Sequence, residues 1–304
     1  MRVYLTGASG FVGSNIARAF AAHDAELITP SHEDVDLAVA GLVNRSVRAT
    51  RPDAIVHTAI WNDIAGLLRD RHQAWASYVG ATRNVVDAAN EVGAHVVLIS
   101  TDWVFDGTQG PAQESTPPNP INQYGFLKAQ SELVVTLRAE RGTVARIAGV
   151  QGVHWARLRT PRAQDAGFGY FVASLVDALA AGERFTVWDD PRLNMRATPT
   201  LASDAAELIW RALDHEATGI LHCVGGEHSD RVELARKAVA AFDLDPDLLA
   251  VGPPDPSALP DGGVPFDTRL DAAYTAEALR VKLPDLETML GRLRRELESS
   301  RSAA

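Results

Sequence analysis

The chain is poor in sulfur, with one cysteine, Cys223, and three methionines among 304 residues. A single cysteine excludes an intrachain disulfide and any cysteine-rich metal cluster, so no metal is expected. Nor is there an apolar run near the ~20 residues that a membrane-spanning helix requires. Basic residues are outnumbered, with Lys+Arg 29 against Asp+Glu 39 and a formal net charge of -10. That balance argues against nucleic acid or an anionic membrane as partner. It leaves room for a nucleotide-bearing small molecule, because backbone amides and a few local cations hold a phosphate. The first apolar strand begins at Arg2, which leaves no room for a signal peptide, and a cytoplasmic location is the expectation.

What is present is ordinary for a globular protein: 46% of residues are apolar and 22% charged. The length suggests one large or two modest domains around a substantial core. Strands are expected at Val3–Leu5, Glu26–Thr29, Ala54–His57, His95–Ile99 and Thr143–Ile147. Helices are expected between them, near Val12–Ala22, Leu42–Thr50, Trp75–Val92 and Gln123–Arg141. Continuous apolar strands alternating with helices predict a parallel α/β sheet with helical crossovers. After Val150 the pattern changes to an Arg-bearing stretch from Gln151 to Gly167, then a helix from Phe168 to Ala181. The stretch "VGPPDPSALPDGGVP" predicts an extended surface segment, and a last helix is expected near Leu286–Glu298. The fold class is therefore a Rossmann-type doubly wound parallel sheet over residues 1–150. A smaller C-terminal lobe takes most of 151–304, with some segments returning to the first domain.

The first strand runs into "LTGASGFVGSNIARAF", with glycines at Gly7, Gly10 and Gly13. A tight turn, close approach of backbone to a pyrophosphate and close helix–strand packing each need glycine, and the helix N-terminus then faces the negative charge. After the second strand, "LITPSHEDVDL" puts Thr29, Pro30, Ser31 and His32 before the first acid. No carboxylate stands at the strand tip to bond a ribose 2′-hydroxyl, so the reading leans to NADPH, with NADH also usable.

Downstream, "VVLISTDWVFDG" ends an apolar strand in Ser100, Thr101 and Asp102. In open α/β sheets ligands sit beyond the carboxyl ends of the strands, so a polar strand tip is where chemistry belongs. "NQYGFLKAQSE" then places Tyr124 and Lys128 four apart, on one helix face. A phenol with an ordinary pKa near ~10 is a poor acid–base catalyst until a neighbouring ammonium stabilises its phenolate. Lys128 supplies that charge and Thr101 a hydrogen bond to a substrate carbonyl.

These motifs, "TGASGFVG", "STDWVF" and "YGFLK", fall in the order and spacing of the extended short-chain dehydrogenase/reductases. Within that family the chain most resembles the dTDP-4-dehydrorhamnose reductase branch, on "RPDAIVHTA", "ATPTLASDAAELI" and "PFDTRLD" as well. The resemblance implies Thr101, Tyr124 and Lys128 as catalytic residues. It implies Gly7, Ser9, Gly10, Phe11, Val12 and Gly13 along the pyrophosphate, Asp36 and Leu37 at the adenine, and Ala59 and Ser100 at the inner ribose and nicotinamide, with Tyr124 and Lys128 also touching the cofactor. Asp102, Trp103, Val104 and Trp155 are expected at the substrate, in a lobe that would take a sugar nucleotide. A homodimer is compatible with the same resemblance.

Related 4,6-dehydratases carry Asp then Glu after the threonine, whereas Trp103 follows Asp102 here, so ketone reduction is the expected chemistry. Two other readings stand beside it: a sugar-nucleotide epimerase, and a non-catalytic dinucleotide-binding regulatory subunit such as the β subunit of methionine adenosyltransferase. The chain departs from the branch at three positions. Tyr78 stands at the usual active-site asparagine, Gly149 at a sugar-covering tryptophan, and Asn15 at a carboxylate that some relatives use in a magnesium-linked dimer. Elsewhere, His57 is expected to be structural, Arg157, Arg159 and Arg162 to lie in a loop open to solvent or phosphate, Trp188 and Trp210 to be core, and Cys223 a buried strand thiol.

Overall fold

Five short apolar runs supply the first five strands: β1 (Arg2–Thr6), β2 (Glu26–Ile28), β3 (Ala54–His57), β4 (His95–Thr101) and β5 (Gly142–Ile147). The computed structural model describes residues 1–158, 163–169, 171–259 and 262–303. A sixth strand, Gly219–His222, comes from the second half of the chain and pairs with β5. The sheet order is Gly219–His222, β5, β4, β3, β1, β2, and all pairings within it are parallel. Every residue of β4 is buried, which explains why its sequence reads as an unbroken apolar run. The chain leaves β1 towards β2 on one side and crosses to β3 on the other, so the switch point lies between β1 and β3.

Helices cover both faces. On one side α1 (Phe11–Ala22) packs with the helix Ala202–Asp214 around Ile16, Phe20, Ile209 and Leu221. On the other, α2 (Ala40–Thr50), α5 (Ala81–Val92) and α6 (Gln123–Arg138) pack on Tyr4, Ile55, Val96 and Val144. Before α5 come two short helices, α3 (Ile64–Arg69) and α4 (Arg71–Trp75), and then a π turn at Ala76–Gly80. The single helix expected over Trp75–Val92 therefore contains a π turn, and that turn carries Tyr78. Helix α6 stops at Arg138, three residues early, where Ala139 turns to extended backbone.

The second lobe has its own core, where the helices Phe171–Ala180, Arg231–Ala241 and Leu286–Ala303 bury Phe171, Leu175, Leu234 and Leu290. A small apolar cluster of Val104, Phe105, Ala112, Ala129, Val224 and Leu270 joins the β4 tip to this lobe. The proline-rich stretch contains the end of a short strand, Leu249–Gly252, and a 3-10 turn at Pro256–Ala258. Trp188 and Trp210 are half-buried rather than core, and Trp210 stacks on His23 at 4.6 Å between centroids. Among the described residues no helix is long and apolar enough to cross a membrane.

Candidate active site

The turn after β1 is built for close approach. Gly7 holds φ +73, and a Cβ there would stand 2.6 Å from Thr58 Oγ1 and 2.8 Å from the Ala59 nitrogen. Its carbonyl accepts the Gly10 N–H at 2.9 Å, closing the loop. Ser9 and Gly10 are exposed, Val12 is half-buried, and Phe11 is buried beside Gly152. Helix α1 begins at Phe11 with no side-chain cap and no acid in its first turn. The positive dipole end of the helix is thus met by no capping side chain and no first-turn acid of its own, which fits a pyrophosphate. Thus Gly7, Gly10, Phe11 and Ala59 converge at the switch point.

Further along that edge, Asp36 Oδ1 accepts the Ala38 N–H at 2.9 Å, and the Leu37 carbonyl accepts from Asn84 Nδ2 at 2.9 Å. The two residues are half-buried, in the loop between β2 and α2. At the tip of β2, Ser31 is occupied locally, its hydroxyl donating to Asp34 at 2.7 Å.

The strand β4 extends through its polar tip, with Ser100 paired to Arg146 and Thr101 to Ile147 of β5. Alternation along the strand sends the Ser100 and Thr101 side chains to opposite faces. Ser100 donates to Glu132 Oε1 at 2.5 Å, and Glu132 in turn holds Arg146 through two bonds of 2.9 and 2.7 Å. Both members of that ion pair are buried. Thr101 donates to Asp102 Oδ1 at 3.0 Å and accepts the Trp103 N–H at 3.2 Å. Asp102 is only 4% exposed, and its second oxygen accepts from Thr268 of the C-terminal lobe.

Lys128 is buried and donates to the Ile99 carbonyl at 2.8 Å, one residue below the polar tip. Burial pulls its ammonium down to about 8, against the opposing pull of Glu132 one turn further along α6. Tyr124, half-buried on the first turn of α6, packs edge-on against Tyr78 at 6.2 Å and against Trp103 at 6.1 Å between centroids. The Lys128 ammonium stands 5.7 Å from the centroid of that same Tyr78 ring. Tyr78 thus bridges the two residues expected to act together. It is 2% exposed, its hydroxyl donates to the Trp61 carbonyl at 3.1 Å, and burial raises its pKa. The π turn that carries Tyr78 is a familiar device for re-aiming a side chain at a functional site.

Trp103 is half-buried between Tyr124 and Gly167, with its ring 3.5 Å from where a Gly167 Cβ would lie. Val104, by contrast, is fully buried in the small cluster behind the tip and is not brought to the cleft. Nor is Trp155, which lies under Arg18 of α1, guanidinium to centroid 4.0 Å. There it lines a cleft of about 390 Å³ with Arg292, Arg295 and Glu296 of the C-terminal helix. Asn15 donates to the Phe11 and Val153 carbonyls, both at 2.9 Å, bonds that a carboxylate could not make. Gly149 has φ +49, and the buried Phe168 ring is 3.2 Å from its would-be Cβ, so a side chain at this position would press on the core of the second lobe. Arg157 is exposed, and Arg159 and Arg162 lie outside the described residues.

His57 is buried, shares a 2.8 Å hydrogen bond with Thr6, and is held down to about 3 by burial first and Lys128 second. It is a neutral tie between β3 and β1. Cys223 is buried with its thiol pushed up to about 12, which makes it inert. Sequence reasoning missed Glu132, Arg146 and Thr268. An arginine inside the apolar run "TVARIA" was the available signal, since a buried guanidinium demands a buried partner. Among the described residues no group of three or more His, Cys, Asp or Glu is placed to hold a metal.

Known proteins can now be set beside this geometry. The chain is 27% identical to the dTDP-4-keto-6-deoxy-D-glucose reductase of Streptomyces niveus, over 84% of this chain and 83% of that one. It is equally 27% identical to methionine adenosyltransferase 2 subunit beta of Bos taurus, over 80% of this chain and 72% of that one. In three dimensions it resembles the dTDP-4-dehydrorhamnose reductase of Bacillus anthracis in complex with NADP, with a TM-score of 0.82 at 22% identity. That match covers 97% of this chain and 99% of that one, and it shows the shared Rossmann-type fold. The sequence model of the RmlD substrate binding domain matches residues 1–298, so the chain belongs to that family of extended short-chain dehydrogenase/reductases.

Proposed function

We propose that the protein is an NADPH-dependent reductase, also able to use NADH, that acts on a ketone of a nucleotide-linked deoxysugar. The observation that carries the reading is the gathering of Thr101, Lys128 and Tyr124 around the carboxyl end of β4, with Tyr78 against both the phenol and the ammonium. The names of the curated reductases it resembles support the substrate class.

The Gly7 turn and the uncapped start of α1 would hold the pyrophosphate, and Ala59 would lie along the inner ribose. Bound there, reduced nicotinamide supplies the hydride. Tyr124 gives its proton to the ketone oxygen as that oxygen becomes a hydroxyl, and the positive charge of Lys128 makes the resulting phenolate less costly. Thr101 hydrogen-bonds the same oxygen and fixes the face presented to the hydride. Trp103 offers its ring to the sugar.

The test is net oxidation of NADPH with dTDP-4-keto-6-deoxysugars. Tyr124→Phe is expected to lower kcat by about 10²–10⁴-fold while leaving NADPH affinity within a few-fold, since positioned proton transfer contributes on that order. Unchanged turnover in Tyr124→Phe would sink the mechanism. Sugar conversion without net loss of NADPH would point instead to epimerisation.

A further inference from the structure

Thr101 has one hydroxyl proton, and both a ketone oxygen and Asp102 have use for it. The hydroxyl donates to Asp102 Oδ1 at 3.0 Å, while its oxygen already accepts the Trp103 N–H. The other carboxyl oxygen takes the proton of Thr268, whose oxygen accepts from Asn194 Nδ2 at 3.1 Å. An ionised Asp102 thus consumes two hydroxyl protons, one from each lobe, and leaves Thr101 with none for a substrate.

We propose that Asp102 is a proton switch for Thr101. Ionised, it retains the threonine hydroxyl; protonated, it donates to Thr101 and releases that hydroxyl to the substrate ketone. The inference rests on the reductase reading above. Asp102 acts through Thr101 and is a positioning residue.

Three features support the switch. Thr101 Oγ can accept from both Trp103 N–H and a protonated Asp102 and still donate one bond outward, so the protonated state satisfies every group. Among the described residues no ion pair to Asp102 stabilises the ionised state. The nearby charges are committed elsewhere. Lys128 is on the Ile99 carbonyl, while Arg269 and Arg196 are both on Asp267. Tyr124 of α6 makes its described ring contacts with Tyr78 and Trp103. Third, burial lifts the Asp102 carboxyl to about 6, with the Thr268 and Thr101 hydroxyls and the backbone N–H groups of Asp102 and Trp103 pulling the other way. A cofactor and sugar in the cleft withdraw more water and move it further up.

Thr268 follows Asp267 in the stretch "PFDTRLD" of the second lobe. The switch therefore reports whether that lobe is seated on the β4 tip.

The test is the pH profile of kcat/KM for NADPH-dependent reduction, from about pH 5 to pH 9, in the wild type, Asp102→Asn and Thr268→Val. In the wild type the rate is expected to fall about tenfold per pH unit above the Asp102 limb. An amide at position 102 donates at every pH, so Asp102→Asn removes that limb and keeps only the later fall set by the Lys128 ammonium at about 8. Thr268→Val takes a donor from the carboxylate and moves the limb to higher pH. Infrared difference spectra of the NADPH complex supply a readout without turnover: a protonated-carboxyl band that titrates with the limb and disappears in Asp102→Asn. A limb unchanged in Asp102→Asn, no upward shift in Thr268→Val, or no titrating band overturns the switch. Should Asp102→Asn fail to fold, the Thr268→Val profile and the wild-type band decide. Full turnover in Tyr124→Phe would be a failure of the reductase reading and not of the switch.

Discussion

Gly125 shows how one residue sets a site that it never touches chemically. A Cβ there would stand 2.0 Å from the Trp103 carbonyl oxygen, because the first turn of α6 is laid directly on the Asp102–Val104 turn. Alanine usually stabilises a helix by about 1 kcal/mol over glycine. In Gly125→Ala the sign is expected to reverse, because α6 must lift off the strand tip and carry Tyr124 with it. A displacement near 1 Å costs roughly 10²-fold in rate, so kcat/KM should fall by about that factor. NADPH affinity should change little, since the Gly7 turn is elsewhere; fluorescence titration of NADPH beside steady-state rates checks both. Tyr124 and Lys128 were legible in the sequence because a spacing of four is a local rule that puts them on one helix face. Gly125 reads there as a mere helix-weakening residue, and its neighbour Trp103 lies 22 positions away, beyond any local pattern. Trp155 was misplaced for the related reason that an aromatic in a loop carries no periodicity to say which face it joins.

At the scale of elements, β4, α6 and β5 form one unit, fastened beneath the site by a buried network. Ser100 on β4, Glu132 on α6 and Arg146 on β5 are joined by bonds of 2.5, 2.9 and 2.7 Å. Removing one member of a buried pair strands the other charge without water, at a cost of roughly 3–5 kcal/mol. Glu132→Gln should therefore lower the urea midpoint by that much stability, whereas a paired Glu132→Leu, Arg146→Met replacement should recover most of it. Because Glu132 also supports the Lys128 charge, Glu132→Gln should depress the lysine pKa further. The strands themselves were readable, since buried parallel strands are continuous apolar runs. Their ends were not, because β4 continues through Ser100 and Thr101, whose polar side chains are satisfied by partners 32 and one positions away. The turn at Ala76–Gly80 was equally hidden, since a π turn differs from an α turn only in bonding i→i+5 and lies inside an unbroken helical run from Arg71 to Val92.

At the scale of the whole molecule, the chain returns to its first sheet late, through Ala202–Asp214 and Gly219–His222, and its C-terminal lobe touches the strand tip through Thr268. Sequence pattern places a glycine loop in its βαβ context, but which late segment completes a sheet depends on pairings made 76 residues apart, as between Gly219 and Thr143. This stacking of strands buries three histidines, His57, His95 and His222, and burial lowers the pKa of each, so their titration contributes to acid stability in one direction. His57 is held down to about 3, by burial and then Lys128, and His95 to about 4, by burial and then Arg141, whereas an unfolded histidine titrates near ~6.5. Both folded values lie below the unfolded one, so the unfolded chain binds the extra protons. The stability that neutral burial confers is present above about pH 6.5 and is lost as pH falls towards 4 and then 3. His57 and His95 each contribute a slope of roughly 1.4 kcal/mol per pH unit, and together these two give nearly 3 kcal/mol per unit between about pH 6 and pH 4. Asp102 works in the opposite direction: its raised pKa makes the fold lose stability as pH rises from about 4 to about 6, which offsets roughly one histidine. Urea unfolding at pH steps from 7 down to about 4 should therefore show a net loss that His57→Gln reduces and Asp102→Asn steepens. A profile that His57→Gln leaves unaltered would mean that the buried β1–β3 tie is protonated in the folded protein, contrary to its burial and its place beside Lys128.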